Sequence, residues 1–308
     1  MAESFCCKVA QEQAGMELKY VLRQAGLSTT RLKAAKRRER GILRNGQPAL
    51  ANERVQPGDL LQVWVGELRP SAVEPAEGRV RIAYEDEALL VVDKPPLVPV
   101  HPGPGHERDS LANLVEGLYG RRGESRLFRP VNRLDRHTSG LLAIAKDAHA
   151  HHQLAGQMRQ GEFQRLYLAV VRGAMPQERG RIELPIGRKE GSSLARCVRE
   201  DGKPAVSLYA QLCRGCEASL VAFRLLTGRT HQIRVHAAHL GHPLVGDFLY
   251  GREEPPRCLL HACGLRCLSP ETGQELRLFS PPPEDMAGKM EELGLCAPLE
   301  EDALWKLF

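Results

Sequence analysis

The sequence has no uninterrupted apolar run approaching roughly 18 residues, so no membrane-spanning helix is expected. Met1 to Gly15 lacks the apolar core of a secretory signal, and no export is expected from it. No internal repeat or low-complexity tract is present, so neither a repeat array nor a compositionally biased stalk is indicated. Cysteine is confined to nine scattered positions, an odd number, which excludes the disulfide framework of a small secreted domain. Free thiols in a reducing cytoplasm are the simplest expectation. What remains, at 308 residues, is room for roughly two domains, one with a substantial core.

Charge is unevenly spread. Between Glu17 and Arg44 lie nine basic residues, Lys19, Arg23, Arg31, Lys33, Lys36, Arg37, Arg38, Arg40 and Arg44, against Glu17 and Glu39. That surplus of seven exceeds the net charge of +5, so the rest of the chain is net negative by two. A concentrated basic segment is an electrostatic footprint for a phosphate backbone. A solvated helix face is the bland alternative. Nearly one-signed charge disfavours it, because like charges at i,i+4 repel unless a polyanion is present.

The stretch Arg133-Leu134-Asp135-Arg136-His137-Thr138-Ser139-Gly140 sets one carboxylate between two arginines, just before the strand-like run Leu141 to Ala145. Flanking cations keep a partly buried carboxylate ionised, and an ionised, positioned carboxylate is a usable nucleophile. On its own the pattern is more often a structural ion pair than a catalyst.

Helical spacing of Leu18, Val21, Leu22 and Ala25 predicts a first helix stopped by Gly26. Ser28 is a plausible cap for a second helix carrying Arg31 to Arg40. Ile42 to Arg44 reads as a strand entering the Asn45-Gly46 turn. Pro57-Gly58-Asp59 is another turn, followed by a strand from Leu60 to Val65. Residues 66 to 79 read as a linker. Beyond it the pattern predicts strands at 80–83, 89–93, 141–145, 166–171, 206–212, 220–226, 259–268 and 275–279. Helices are expected at 110–119, 149–160, 230–240 and 285–293. Short strands with interleaved helices indicate an α+β fold with a mixed, mainly antiparallel sheet.

The order of elements over residues 16 to 65 resembles the S4 RNA-binding module, a small α/β unit. In the larger part, Asp93-Lys94-Pro95-Pro96-Leu97-Val98-Pro99-Val100-His101-Pro102, the Asp135 octet and Thr227-Gly228-Arg229-Thr230-His231-Gln232-Ile233-Arg234-Val235-His236 resemble, in order, the three motifs of the RluA-type pseudouridine synthases. The third continues through Gly241-His242-Pro243-Leu244-Val245-Gly246-Asp247, and weaker echoes include Arg165 to Val170 and Leu259 to Ala262. The resemblance covers about residues 80 to 282. It implies an N-terminal extension at 1–15, an S4-like domain at 16–65, the linker at 66–79, a catalytic domain at 80–283 and a tail at 284–308.

The resemblance also implies roles. Asp135 takes the place of the catalytic aspartate, Arg234 that of the arginine paired with it, and Tyr167 that of the tyrosine packed on the target base and placed to help remove the C5 proton. Arg133 matches the arginine that fills the space of a flipped-out base. Isomerising uridine needs no redox change or group donor, so neither metal nor organic cofactor is implied. The basic residues Arg31, Lys33, Lys36, Arg37, Arg38 and Arg40 are expected to contact RNA phosphates. The expected partner is structured RNA, ribosomal in preference to transfer RNA, for a cytoplasmic monomer with no membrane association.

The chain departs from the commonest family pattern at Asn132 and His137. Cys213-x-x-Cys216 has no second close pair at finger-like spacing, so small apolar residues are favoured over a zinc site. The cluster His149, His151 and His152 has no obvious co-ligands. His231 and His236 read as structural hydrogen bonders, and His101 as the support of a turn. Two rivals stand beside catalysis: an inactive RNA-binding scaffold, and an unrelated glycosidase or nucleoside hydrolase, for which no second, equally well-placed acid appears.

Overall fold

The computed structural model describes residues 4–27, 29–65, 71–251 and 257–308. Ser28, the expected cap of the second helix, and residues 66–70 of the expected linker lie outside the described residues. Among the described residues no helix is long and apolar enough to cross a membrane.

The N-terminal module comprises β1 (Ser4–Lys8), α1 (Leu18–Gln24), α2 (Thr29–Ala35), β2 (Ile42–Arg44), β3 (Gln47–Pro48) and β4 (Leu60–Trp64). Its antiparallel sheet runs β1-β4-β2-β3. Leu18, Leu22, Ala35, Val55, Leu61 and Val63 close a small core beneath it. Two expectations are corrected here. Residues 4–8, expected in an extension, are an edge strand of the module, with Phe5 and Cys7 alternating onto its core. The expected basic helix stops at Ala35, and Lys36 to Arg40 follow as turns, with Arg40 left-handed at φ 55°. Four cations in five positions would crowd like charges along a helix, and turns spread them.

The larger part contributes β5 (Ile82–Glu85), β6 (Leu89–Lys94), α3 (Leu111–Arg121), β7 (Ser139–Ala145), α4 (Ala148–Gln160), β8 (Gln164–Arg172) and β9 (Arg179–Glu183). Then come β10 (Ile186–Arg188), β11 (Arg196–Val198), β12 (Val206–Arg214), β13 (Ala218–Leu225), α5 (Gln232–His239), β14 (Leu260–Leu268), β15 (Glu275–Phe279), α6 (Glu284–Glu292) and α7 (Glu301–Trp305). Nine strands form one sheet in the order β5-β6-β7-β14-β8-β13-β12-β9, with β15 paired to β14. Every pair is antiparallel except β7 with β14. The fold is therefore the expected α+β type with a mixed, mainly antiparallel sheet. The central strands β6, β7 and β8 are apolar on both faces because helices, loops and the C-terminal segment cover both sides.

The parallel pair places the site. At Gly140, φ is 108° and an added Cβ would lie 2.3 Å from the Ala262 carbonyl oxygen, so only glycine lets β7 approach β14 here. Asp135 sits in the turn immediately before that contact, closed by the Thr138 amide donating to the Asp135 carbonyl at 3.1 Å. The segment after Pro283, expected to be a tail, instead packs Met286, Met290, Leu295 and Leu304 against Leu166, Leu168, Val170 and Leu220 of the sheet. Its apolar residues recur at helical spacing and are buried by docking on the strands. Phe5 of β1 meets His149 of α4 with ring centroids 4.4 Å apart, joining the module to the larger part.

Candidate active site

A cleft of about 840 Å3 opens over the sheet, and Asp135, Tyr167, Arg133 and Arg234 all line it. Asp135 is 23% exposed, so its carboxylate is presented to the cleft rather than sealed below it. Neither flanking arginine pairs with it among the described residues. Arg133 lies exposed on the rim with Nη2 3.4 Å from Thr230 Oγ1, and Arg136 Nε donates to the Leu97 carbonyl at 3.1 Å. The cation at Asp135 is Arg234 on α5, whose Nη1 lies 3.5 Å from Asp135 Oδ2.

Arg234 is held from behind by a residue whose role sequence reasoning left unassigned. Its Nε and Nη2 donate to the two carboxylate oxygens of Asp247 at 2.8 Å each, the bidentate geometry that fixes a guanidinium in one plane. Asp247 also accepts the amides of Leu249 and Tyr250 at 3.0 and 3.1 Å. Burial raises the Asp247 carboxyl, but the Arg234 hydrogen bonds outweigh it and the net shift is downward. Burial likewise opposes the charge on Arg234, and the Asp247 carboxylate more than offsets this, holding the guanidinium above its ordinary value. Two buried groups thus present one fixed charge to Asp135.

His231, at the start of α5, takes a left-handed φ of 58° and turns Nε2 to 4.0 Å from Asp135 Oδ2. Its Nδ1 lies 2.8 Å from the Tyr250 hydroxyl, which in turn accepts the Arg196 amide at 2.9 Å. Burial holds the His231 imidazole below its ordinary value, so it is neutral at pH 7. The β10–β11 hairpin, absent from the sequence expectations, reaches the site through this chain.

Three further ties fix the Asp135 turn. Lys94, completely buried, donates from Nζ to the carbonyls of Pro95, Val98 and Arg136 at 2.8, 2.9 and 3.3 Å. Burial pushes it down to about 7, against the attraction of Asp135. Arg257 donates from Nη1 to the His137 carbonyl at 3.2 Å while its Nε and Nη2 engage Asp285 of α6. Ser139 Oγ pairs with His261 Nδ1 at 3.0 Å, and His261 Nε2 reaches the Ser280 carbonyl at 2.9 Å. Lys94 and Asp247 stood inside the quoted motifs; the readable signal was a charged residue embedded in apolar neighbours.

Tyr167 on β8 is buried in the core beside Phe223 and lines the floor of the cleft. Burial pushes its phenol up, so it is a neutral hydroxyl at pH 7. Asn132 is buried and its Oδ1 accepts the Ala143 amide at 2.9 Å. His236 bonds Ser207 Oγ and the Leu184 carbonyl, each at 3.0 Å, and His101 stands edge-on to Phe128. Cys213 lies at a bulge in β12 and Cys216 in the exposed turn after it.

The six basic residues of the module divide. Arg31 is 4% exposed and belongs to the interior, which corrects its expected place on the surface. Lys33, Lys36, Arg37, Arg38 and Arg40 are exposed, with the Arg38 guanidinium 4.0 Å over the Trp64 ring. Lys36, Arg38 and Arg40 border, with Lys19, a groove of about 420 Å3.

Over a mixed, mainly antiparallel sheet, the cleft thus gathers a partly exposed carboxylate, a fixed guanidinium and a buried phenol. The sequence model of the RNA pseudouridylate synthase family matches residues 88–239. An uncharacterized RNA pseudouridine synthase of Bacillus subtilis, YjbO, is 40% identical over 246 residues, covering 79% of this chain and 87% of that protein. Ribosomal large subunit pseudouridine synthase D of Nitrosomonas europaea is 36% identical over 257 residues, covering 80% and 74%. The solved structure of human RNA Pseudouridylate Synthase Domain Containing 4 superposes with a TM-score of 0.58 at 25% identity, covering 71% of this chain and 94% of that one. The chain belongs to the RNA pseudouridine synthases.

Proposed function

We propose that this enzyme converts specific uridines of large-subunit ribosomal RNA to pseudouridine, with Asp135 acting at the ribose C1′. The observation that carries the reading is the chain Asp247–Arg234–Asp135 at the floor of the cleft, where a carboxylate open to substrate is held by a fixed cation. In the reaction the C1′–N1 bond breaks, uracil turns in place, and C5 bonds to C1′. The C5 proton leaves and N1 gains one, so atoms and electrons balance without an external reductant or donor.

The uridine enters flipped out of its stack, and Arg133, exposed on the rim, stacks in the space it leaves. Tyr167 packs under the base. Because its hydroxyl is neutral, it suits packing and hydrogen bonding rather than removal of the C5 proton as a phenolate. The N-terminal module is an S4-like RNA-binding unit, with Lys33, Lys36, Arg37, Arg38 and Arg40 as phosphate contacts that orient the RNA and read little sequence.

Asp135→Asn tests the chemistry. The variant is expected to fold and bind unmodified ribosomal transcript while product formation drops by about 10^4-fold or more. Turnover near wild type removes Asp135 from the mechanism. Pseudouridine mapping of total RNA from cells lacking the gene tests the substrate: loss confined to transfer RNA overturns the ribosomal reading.

A further inference from the structure

Arg165 lies on β8 two positions before Tyr167, so both side chains leave the same face of the strand. Two residues of strand span about 7 Å, comparable with the distance from a nucleotide's base to a flanking phosphate. Both residues line the cleft with Asp135. Arg165 is only 7% exposed. Its Nε is buried without a hydrogen-bond partner, and among the described residues its guanidinium makes no ion pair. The other buried cations around the site are satisfied: Arg234 by Asp247, Arg257 by Asp285 and a carbonyl, Lys94 by three carbonyls.

A desolvated charge with no partner is among the costliest features a fold can keep. The third motif also makes room for it. A Cβ placed on Gly228 would lie 3.0 Å from Arg165 Nη1, tighter than ordinary contact, so glycine there leaves the guanidinium its space. An unpaired cation facing an open cleft is complete only when an anion enters.

We propose that Arg165 is a substrate-binding residue that takes the phosphodiester adjacent to the target uridine. The planar fork matches two non-bridging phosphate oxygens. Its burial distinguishes it from the rim cations Arg133 and Arg136, whose charges are spread through water. The contact forms only once the flipped nucleotide is seated, so the free enzyme carries a cost that RNA relieves. This rests on the reading that Asp135 and Tyr167 receive that nucleotide.

The test uses full-length Arg165→Met and Arg165→Lys proteins and an unmodified ribosomal RNA transcript. For Arg165→Met, KM and RNA Kd are expected to rise about tenfold. The slope of log Kd against log salt should flatten by about 0.7 to 0.9, one phosphate's share. Its Tm without RNA should rise by about 2 to 4 °C, because an unpaired buried charge is gone. Arg165→Lys should keep the salt slope and lose part of the affinity. A structural role predicts the opposite sign, a lower Tm with Kd unchanged, and that result overturns the proposal. A raised Kd with an unaltered salt slope also overturns it, since the partner is then a neutral acceptor such as a uracil carbonyl. Asp135→Asn assayed alongside separates the two readings: its retained turnover removes the assigned chemistry, whereas the Arg165 contact stands or falls on Kd, salt slope and Tm.

Discussion

The N-terminal module and the cleft hold positive charge in opposite ways. In the module, Lys33, Lys36, Arg37, Arg38 and Arg40 stand in water on a two-turn helix and the turns after it. Around the cleft, Lys94, Arg234 and Arg257 are buried and tied to carbonyls or carboxylates. Exposed cations act at a distance and tolerate many geometries, so they gather a polyanion and set its encounter rate. Buried, tied cations have one geometry and no freedom to give up during reaction, which is what a reacting carboxylate requires. In the proposed function, this division separates capture of RNA from work on a single nucleotide.

The sharpest way to break that division is to loosen a cation in the cleft. Asp247→Asn leaves Arg234 buried with half its restraint. It should lower kcat about 100-fold, with RNA affinity retained, and cost roughly 3 to 5 kcal/mol of stability in denaturant titration. A loss in affinity at unchanged kcat would mean that this buried pair serves capture after all. On the other side, replacing Lys33, Lys36, Arg37 and Arg40 together by Gln should raise KM about tenfold and flatten its salt dependence, with kcat preserved. A matching fall in kcat would show that the module also takes part in the chemistry.

Acid should separate the regions more mildly. All eleven histidines follow residue 100, and the module has none. Burial pushes His137, His231, His236 and His261 below the ordinary value. The unfolded chain takes up protons near pH 6.5 and the folded chain resists until lower pH, so stability present above 6.5 is lost as pH falls below it. Circular dichroism melts between pH 7 and 5 should show the larger part losing Tm while the module holds. Equal losses would place the acid-sensitive groups elsewhere.

Much of this was legible in sequence because local patterns decide it. The strand at Glu275–Phe279 falls where alternation put it, and Ser110 caps α3 with its Oγ toward the Asn113 amide. What escaped was decided by distant partners. Residues 4–8 look featureless until β4, more than fifty residues later, supplies a strand to pair with. The β10–β11 hairpin has too few residues to show a period. At the site, Asp135, Tyr167, Arg133 and Arg234, each named from a dense local signature, line one cleft. The flanking arginines alone point the wrong way, since adjacency along a turn does not bring two side chains together; the resemblance named Arg234 of α5 as the partner, and its Nη1 lies 3.5 Å from Asp135 Oδ2. The module's basic run was misread as one helix because charge density carries no period of its own.

The ties on the Asp135 turn also order events in time. Its neighbours are His261 beside Ser139, Arg257 on the His137 carbonyl, and Asp285 clamping Arg257. The last of these is made 150 residues after Asp135. At about 5 to 20 residues per second of synthesis, that is a delay of about 8 to 30 s. The N-terminal module is complete by residue 65, before Asp135 itself is made. The basic residues of the N-terminal module are therefore made before Asp135, and the last tie on its turn well after it.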